Sequence, residues 1–208
     1  MCGRYSLADP ARLRAAFPAI RFPEFSETRI PAMQPRYNIA PTQEVLAVRN
    51  DGRDTAELLR WGIRGRVNIR AESVLARRGP VSRRCAEFAD GFYEWRDRRP
   101  YYYTLRSREP FALAGLWEAQ GETAACDVIT CEPNPLVAAV HDRMPVILTG
   151  AQLEVWLEPG PLPPEILQQL LRPLDPAKME VRQVSRRVNN ANYDAADVLE
   201  NPEEPRLL

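Results

Sequence analysis

The chain has 208 residues, of which 45% are hydrophobic and 27% charged, the balance of an ordinary globular protein long enough for one sizeable core. Its net charge is zero, so no global field draws in nucleic acid, and no apolar run approaches the roughly 20 residues that span a bilayer. The N-terminus lacks the basic stretch and apolar core of a secretory signal, and a cytoplasmic protein is expected.

In chain order, Asp9-Pro10 reads as a helix start, with proline at the first helical position and Leu13, Ala16 and Phe17 forming one apolar face. Val45 to Val48, the turn Asn50-Asp51-Gly52, and Leu58 to Trp61 read as a hairpin. Phe88 to Trp95, Tyr101 to Leu105, Phe111 to Leu116, Val128 to Thr130 and Val146 to Leu148 are further strand-like runs. Thr149 with Gln152 forms a capping box ahead of a short helix through Trp156. Pro164 to Leu171 suggests another helix, Val181 to Val184 a late strand, and the Pro/Glu-rich stretch 201–208 a loose tail behind one domain over 1–200. Long βαβ crossovers are missing, which favours an α+β fold on a curved, antiparallel sheet.

Basic residues are nearly all arginine; Lys178 is the sole lysine. Arginine's planar fork suits phosphates, and the groups Arg64–Arg66–Arg70 and Arg77–Arg78–Arg83–Arg84 leave room for a basic groove on a neutral protein. A GC-rich coding bias accounts for the arginines equally well. Of the four cysteines none forms a CxxC pair, and with one histidine no metal site is expected. Cys85, Cys126 and Cys131 sit among apolar residues and are expected in the core, without disulfides. Cys2 is different. Removal of Met1 would give it a free α-amine beside its thiol, a 1,2-aminothiol.

Four stretches place polar groups beside strand-like apolar residues: RYNIAPTQ at 36–43, NIRAES at 68–73, GFYEW at 91–95 and HDRMPVIL at 141–148. Taken singly, Glu94 is an ordinary strand carboxylate, His141 a structural histidine, Asn68 a turn residue, and Arg70 and Arg143 surface charges. Together, MCGRY, RYNIAP, WG, N-x-R-x-E, GFYEW, AGLWE, HDRMPVIL and the late QVSRRVN resemble, in order, the SOS response-associated peptidase (SRAP) family. The resemblance covers about residues 2–200. It implies a compact, barrel-like α+β domain with peripheral helices that traps abasic sites in single-stranded DNA, as a monomer, with no cofactor, metal or membrane. It puts the catalytic positions on Cys2, Asn68, Glu94 and His141, and the DNA contacts on Arg4, Asn38, Pro41, Arg70, Trp95, Thr130 and Arg143.

The chemistry of an abasic aldehyde agrees with that assignment. An α-amine, pKa about 7.7–8.0, is partly unprotonated at neutral pH, unlike a lysine near 10.4. It can condense with the aldehyde, after which the thiol closes a thiazolidine, aided by proximity. His141 is suited to protonating the sugar ring oxygen, and Glu94 to moving protons at the amine. Asn68 could orient the amine or a sugar hydroxyl, Arg70 and Arg143 hold flanking phosphates, and Trp95 stack on a base. The resemblance implies a longer segment with wedge aromatics between WG and N-x-R; here it is only Ile63 to Val67, without an aromatic residue, and Arg64 and Arg66 suggest phosphate contact there instead. Glutamine amidotransferases that also begin Met-Cys-Gly are an alternative, but their HRGPD-like and Asn-Gly-Glu-like stretches are absent. A non-catalytic single-strand-binding module is another, for which Cys2 would be dispensable.

Overall fold

A computed structural model describes residues 2–23, 34–121 and 123–201. Strands buried along nearly their whole length, such as Arg84–Ala89 and Thr123–Cys131, build two layers. Strands β3 (Glu44–Arg49), β4 (Glu57–Trp61), β6 (Arg84–Ala89), β9 (Phe111–Gln120) and β10 (Thr123–Cys131) pair in the order β10-β4-β3-β6-β9, and β9 pairs back onto β10 to close a five-stranded barrel. Its pairs are antiparallel except β10 with β4, which is parallel, as is the short β5 (Asn68–Arg70) laid along β10. Closure removes the sheet edges that would otherwise need protection. The barrel is therefore mixed rather than wholly antiparallel.

The second layer is a five-stranded antiparallel sheet in the order β13 (Met179–Gln183), β8 (Arg99–Leu105), β7 (Gly91–Arg96), β1 (Tyr5–Leu7), β2 (Arg36–Ile39). The run Phe88 to Trp95, which reads as one strand, is two: β6 ends in the barrel and β7 begins in the other sheet, with Asp90 between them. Asp90 accepts from Ser6 Oγ at 2.6 Å and from Asp9 N at 2.9 Å, tying the corner to β1. Gly91 is required there: a Cβ would lie 2.2 Å from the Tyr102 ring.

The expected hairpin exists, with Val45 opposite Leu59 and Ala47 opposite Glu57. Helices are short: α1 (Leu13–Ala16), α2 (Ala71–Leu75), α3 (Pro135–Ala138), α4 (Ala151–Leu157) and α5 (Pro164–Leu170). Asp9 makes no side-chain cap, and its segment opens as a 3-10 turn before α1. Gln152 accepts from Thr149 N at 3.3 Å, but the α4 N-cap is Gly150, so half of the expected box forms. The expected tail lies, from residue 202 on, outside the described residues.

The main apolar cluster includes Trp61, Trp156, Phe88, Phe92 and Phe111, each side chain worth roughly 1.5–3 kcal/mol on full burial, and a smaller one gathers Tyr93, Tyr102, Val184, Val188 and Val198. The buried indoles are satisfied: Trp61 Nε1 donates to Val67 O at 2.9 Å, and Trp156 Nε1 to Cys85 O at 2.7 Å. All four cysteines are buried and free, Cys2 among them.

Candidate functional site

Cys2 precedes β1, whose Tyr5 pairs with Ile39 on β2 and with Phe92 on β7. That pairing fixes the N-terminal segment beside Glu94, two residues along β7 from Phe92. Asn68 opens β5, and its Nδ2 donates to Cys2 O at 2.8 Å. His141 follows α3, its backbone N–H closing onto Val137 O at 2.9 Å. Its Nε2 stands 3.8 Å from Glu94 Oε2. Residues separated by most of the chain thus meet at one place, where the barrel and the second sheet adjoin.

The site's electrostatics are set by burial. Cys2 is fully buried, which holds its thiol well above the usual range; the charges of Glu94 and Glu87 add to this. Glu94, with a side chain 2% exposed, is pushed up to about 8 by desolvation. His141 is lowered, again by desolvation first. Near neutral pH the pair therefore holds a protonated carboxyl beside a neutral imidazole. The sequence suggests His141 as the source of the proton for the sugar ring oxygen; burial instead leaves Glu94 as the protonated partner, because desolvation disfavours both charges. Around His141 Nδ1 lie one donor, Arg143 N at 3.0 Å, and two acceptors, Asp142 Oδ1 at 3.1 Å and Arg143 O at 3.3 Å. Asn68 Oδ1 is buried with no hydrogen-bond partner, an acceptor available to a group that arrives. The buried Tyr103 hydroxyl is likewise without a partner, and after burial Glu94 is the chief cause of its raised pKa. A mid-strand tyrosine in YYYTL gave no sign of this.

Behind Cys2, the fully buried Glu87 accepts from the Tyr5 hydroxyl at 3.1 Å and is raised to about 7, by desolvation first. An unfolded Glu ionises near 4.3, so the contribution of Glu87 to stability should be greatest below that pH, fall as pH rises to about 7, and then level off. Glu87→Gln keeps the shape and the acceptor for Tyr5. It should flatten this slope and raise stability near pH 8 by on the order of 1–3 kcal/mol, read from urea melts across pH. An unaltered slope would show that Glu87 is ionised in the fold.

The residues assigned to DNA divide into two groups. Arg4 donates to Asn38 Oδ1 and to Val188 O, both at 2.7 Å, and its guanidinium lies 5.7 Å from the Trp95 ring centre. Trp95 Nε1 donates to Asn189 Oδ1 at 2.7 Å, so the late QVSRRVN segment holds this group together. Asn38 is fully buried, its amide spent on the carbonyls of Val188, Asn190 and Tyr193. It positions Arg4 and offers no surface of its own. Pro41, just past β2, is half-buried.

On the other side Arg70 is exposed at the end of β5, opposite Thr130. Thr130 is buried, and its carbonyl accepts from Arg143 at 2.6 Å. Arg143 also grips Glu72 through two hydrogen bonds of 2.7 and 2.8 Å. The turn Ile63–Arg66 is a tight two-residue hairpin, with Arg64 and Gly65 at φ 50° and 82°. Its arginines are ion-paired, Arg64 with Glu118 and Arg66 with Asp127. Among the described residues no group of three or more His, Cys, Asp or Glu could hold a metal.

A closed mixed barrel with an N-terminal cysteine, a Glu–His pair and an asparagine at its edge is the arrangement on which the family comparison bears. The profile of the SOS response associated peptidase (SRAP) family matches residues 1–191, and the chain belongs to that family. It is 36% identical to "Abasic site processing protein YoaM" of Bacillus subtilis, covering 96% of this chain and 98% of that one. It is 37% identical to "Abasic site processing protein YoqW" of the same organism, covering 80% and 86%. A crystal structure of a protein from Bacteroides thetaiotaomicron shares the fold with a TM-score of 0.79 at 20% identity, over 96% of this chain and 99% of that one.

Proposed function

We propose that the protein processes abasic sites in DNA, and that it does so by capturing the sugar aldehyde on Cys2 in single-stranded DNA. The relatives named for abasic-site processing support the broader role. The observation that carries the finer one is the meeting of Cys2, Asn68, Glu94 and His141.

Met1 lies outside the described residues; its removal, by an aminopeptidase or by the protein itself, would free the Cys2 amine. Glu94, holding its proton near neutrality, suits giving it to the sugar ring oxygen and taking up the anomeric hydroxyl proton as the aldehyde opens. So reprotonated, it can protonate the carbinolamine hydroxyl as that leaves as water. Neutral His141 suits taking the proton that the amine sheds when the C–N bond forms. The Cys2 thiol then adds across the C=N bond: sulfur bonds to carbon, and its proton ends on nitrogen. High thiol pKa is no obstacle, because closure within one residue is strongly favoured by proximity. Asn68 Oδ1, buried and unpartnered, suits accepting from the amine or a sugar hydroxyl. Arg4 and Trp95 on one side, and Arg70 and Arg143 on the other, would hold the strand by phosphate contact and stacking.

The reading is tested on a denaturing gel with three strands: one abasic, one with all bases, and one whose aldehyde has been reduced beforehand. A covalent band is expected only with the first. A band with all three, or with none, would overturn it.

For Glu94 the expected signature is in pH. The rate of adduct formation should rise as the amine deprotonates near pH 7.7–8.0 and fall as Glu94 ionises at about 8. Glu94→Gln should slow the reaction by about a hundredfold and remove the alkaline fall. It should slow an open-chain aldehyde analogue less, since that needs no ring opening. A slower variant whose profile keeps its shape would take Glu94 out of the proton-transfer role.

A further inference from the structure

The sequence cluster Arg77–Arg78–Arg83–Arg84 is not absorbed by the site around Cys2. Arg84 is a buried structural residue, whereas Arg77 and Arg83 are exposed and line a cavity of about 230 Å³ together with Arg66, Ser82, Trp117 and Glu118. None of these residues belongs to the Cys2 cluster, and only Arg66 and Glu118 touch the Ile63–Arg66 turn.

The charges there do not cancel. Arg66 is paired with Asp127, and Glu118 with Arg64. Arg49, on Trp117 at 4.5 Å from the ring centre, is paired with Glu57 and Asp51. Arg83 also stacks on Trp117, at 5.3 Å. Arg77 and Arg83 have no ion pair and no side-chain hydrogen bond among the described residues. Trp117 Nε1 is buried without an acceptor. The cavity thus gathers two uncompensated guanidinium forks and a serine hydroxyl, with Trp117 in its wall. Forks and hydroxyl can all donate.

We propose that this cavity is an anion site that takes a phosphoryl group. Guanidinium forks match the oxygens of phosphate two at a time, and the Ser82 hydroxyl can donate to a third. The phosphoryl group is either a backbone phosphate of a nucleic-acid strand or free phosphate; the chemistry is common to both. Stacking against Trp117 holds the Arg83 guanidinium in place and lowers the entropy lost on binding.

The test uses the full chain and Arg77→Ala/Arg83→Ala, both positions being exposed, with Arg77→Lys/Arg83→Lys as the charge-preserving control. Inorganic phosphate is titrated while the indole N–H resonances of the four tryptophans are followed. In the wild type the Trp117 resonance should move, with the other three unchanged; the double alanine variant should need at least about tenfold more phosphate. In parallel, a single-stranded oligonucleotide carrying every base is bound across a salt series. If the cavity takes a backbone phosphate, the alanine variant should bind it several-fold more weakly, with a log–log salt slope shallower by about 0.7 for each phosphate no longer neutralised. A Trp117 response with unchanged oligonucleotide binding assigns the site to free phosphate. Partial recovery by the lysine variant is expected in whichever arm responds. No movement of Trp117 and unchanged oligonucleotide binding would overturn the proposal, as would equal responses from wild type and alanine variant. Because the strand has no abasic site, none of these outcomes depends on the chemistry at Cys2.

Discussion

Cys2→Ala should yield no DNA adduct that survives denaturation, while binding of the abasic strand stays within a few-fold of wild type. The alanine keeps the amine, so an imine can still form, but nothing closes it, and an imine hydrolyses. Cys2→Ser separates the two steps further: borohydride should trap its imine, and without borohydride the yield should collapse. The wild-type adduct should be indifferent to borohydride, since a thiazolidine has no C=N bond to reduce. Loss of the sulfur costs the whole stable product rather than a fraction, which is why this effect is the largest expected. A heat-stable, unreduced adduct from Cys2→Ala would show that the ring is not the product.

The largest expected effect on stability lies at Arg84, far from the chemistry. Its guanidinium is fully buried and donates to four carbonyls: Nε to Trp156 O and Nη1 to Gly160 O, both at 2.8 Å, with Val81 O and Glu158 O completing the set. Three of these follow or end α4, whose last carbonyls have no partners within the helix. Desolvation lowers the Arg84 pKa to about 10, yet the group remains charged at neutral pH and serves as a cationic cap. Arg84→Ala should cost about 3–5 kcal/mol, from four stranded carbonyls and a cavity. For a chain of this length, at about 2–4 °C per kcal/mol, that lowers Tm by roughly 6–20 °C. Arg84→Lys should recover only part, because one ammonium cannot span the same four acceptors. A melting shift of a degree or two would mean that water takes the place of the guanidinium.

Arg84 also shows where the sequence was silent. In RRCAEF it reads as one member of a basic surface cluster, and nothing local distinguishes it from Arg83. Burial is decided by α4, seventy residues later, which packs over β6. The strands were legible because their apolar residues alternate or run together, as in Val45 to Val48 and Phe111 to Leu116. Closure of β9 onto β10 was not, since it depends on a distant pairing and on glycine at 115, where a Cβ would lie 2.8 Å from Asp127 O.

The site was legible only as an ordered set of motifs. Asn68, Glu94 and His141 each have an ordinary structural explanation alone, and no spacing rule places them beside Cys2. What the motifs did not convey was protonation. Glu94 at about 8 and a lowered His141 follow from depth below the surface, a property of the fold. Asn38 and Thr130 lie among the DNA motifs, yet both are buried and support Arg4 and Arg143 from behind.

The central claim, capture of the aldehyde by the Cys2 aminothiol, is tested most directly by the intact mass of the protein–DNA adduct. Amine and aldehyde condense with loss of one water, and addition of the thiol changes no mass. The adduct should therefore weigh the sum of the strand and the protein lacking Met1, less one water, and borohydride should leave that mass unchanged. An adduct that retains Met1, or one that gains two hydrogens on borohydride treatment, would contradict the account.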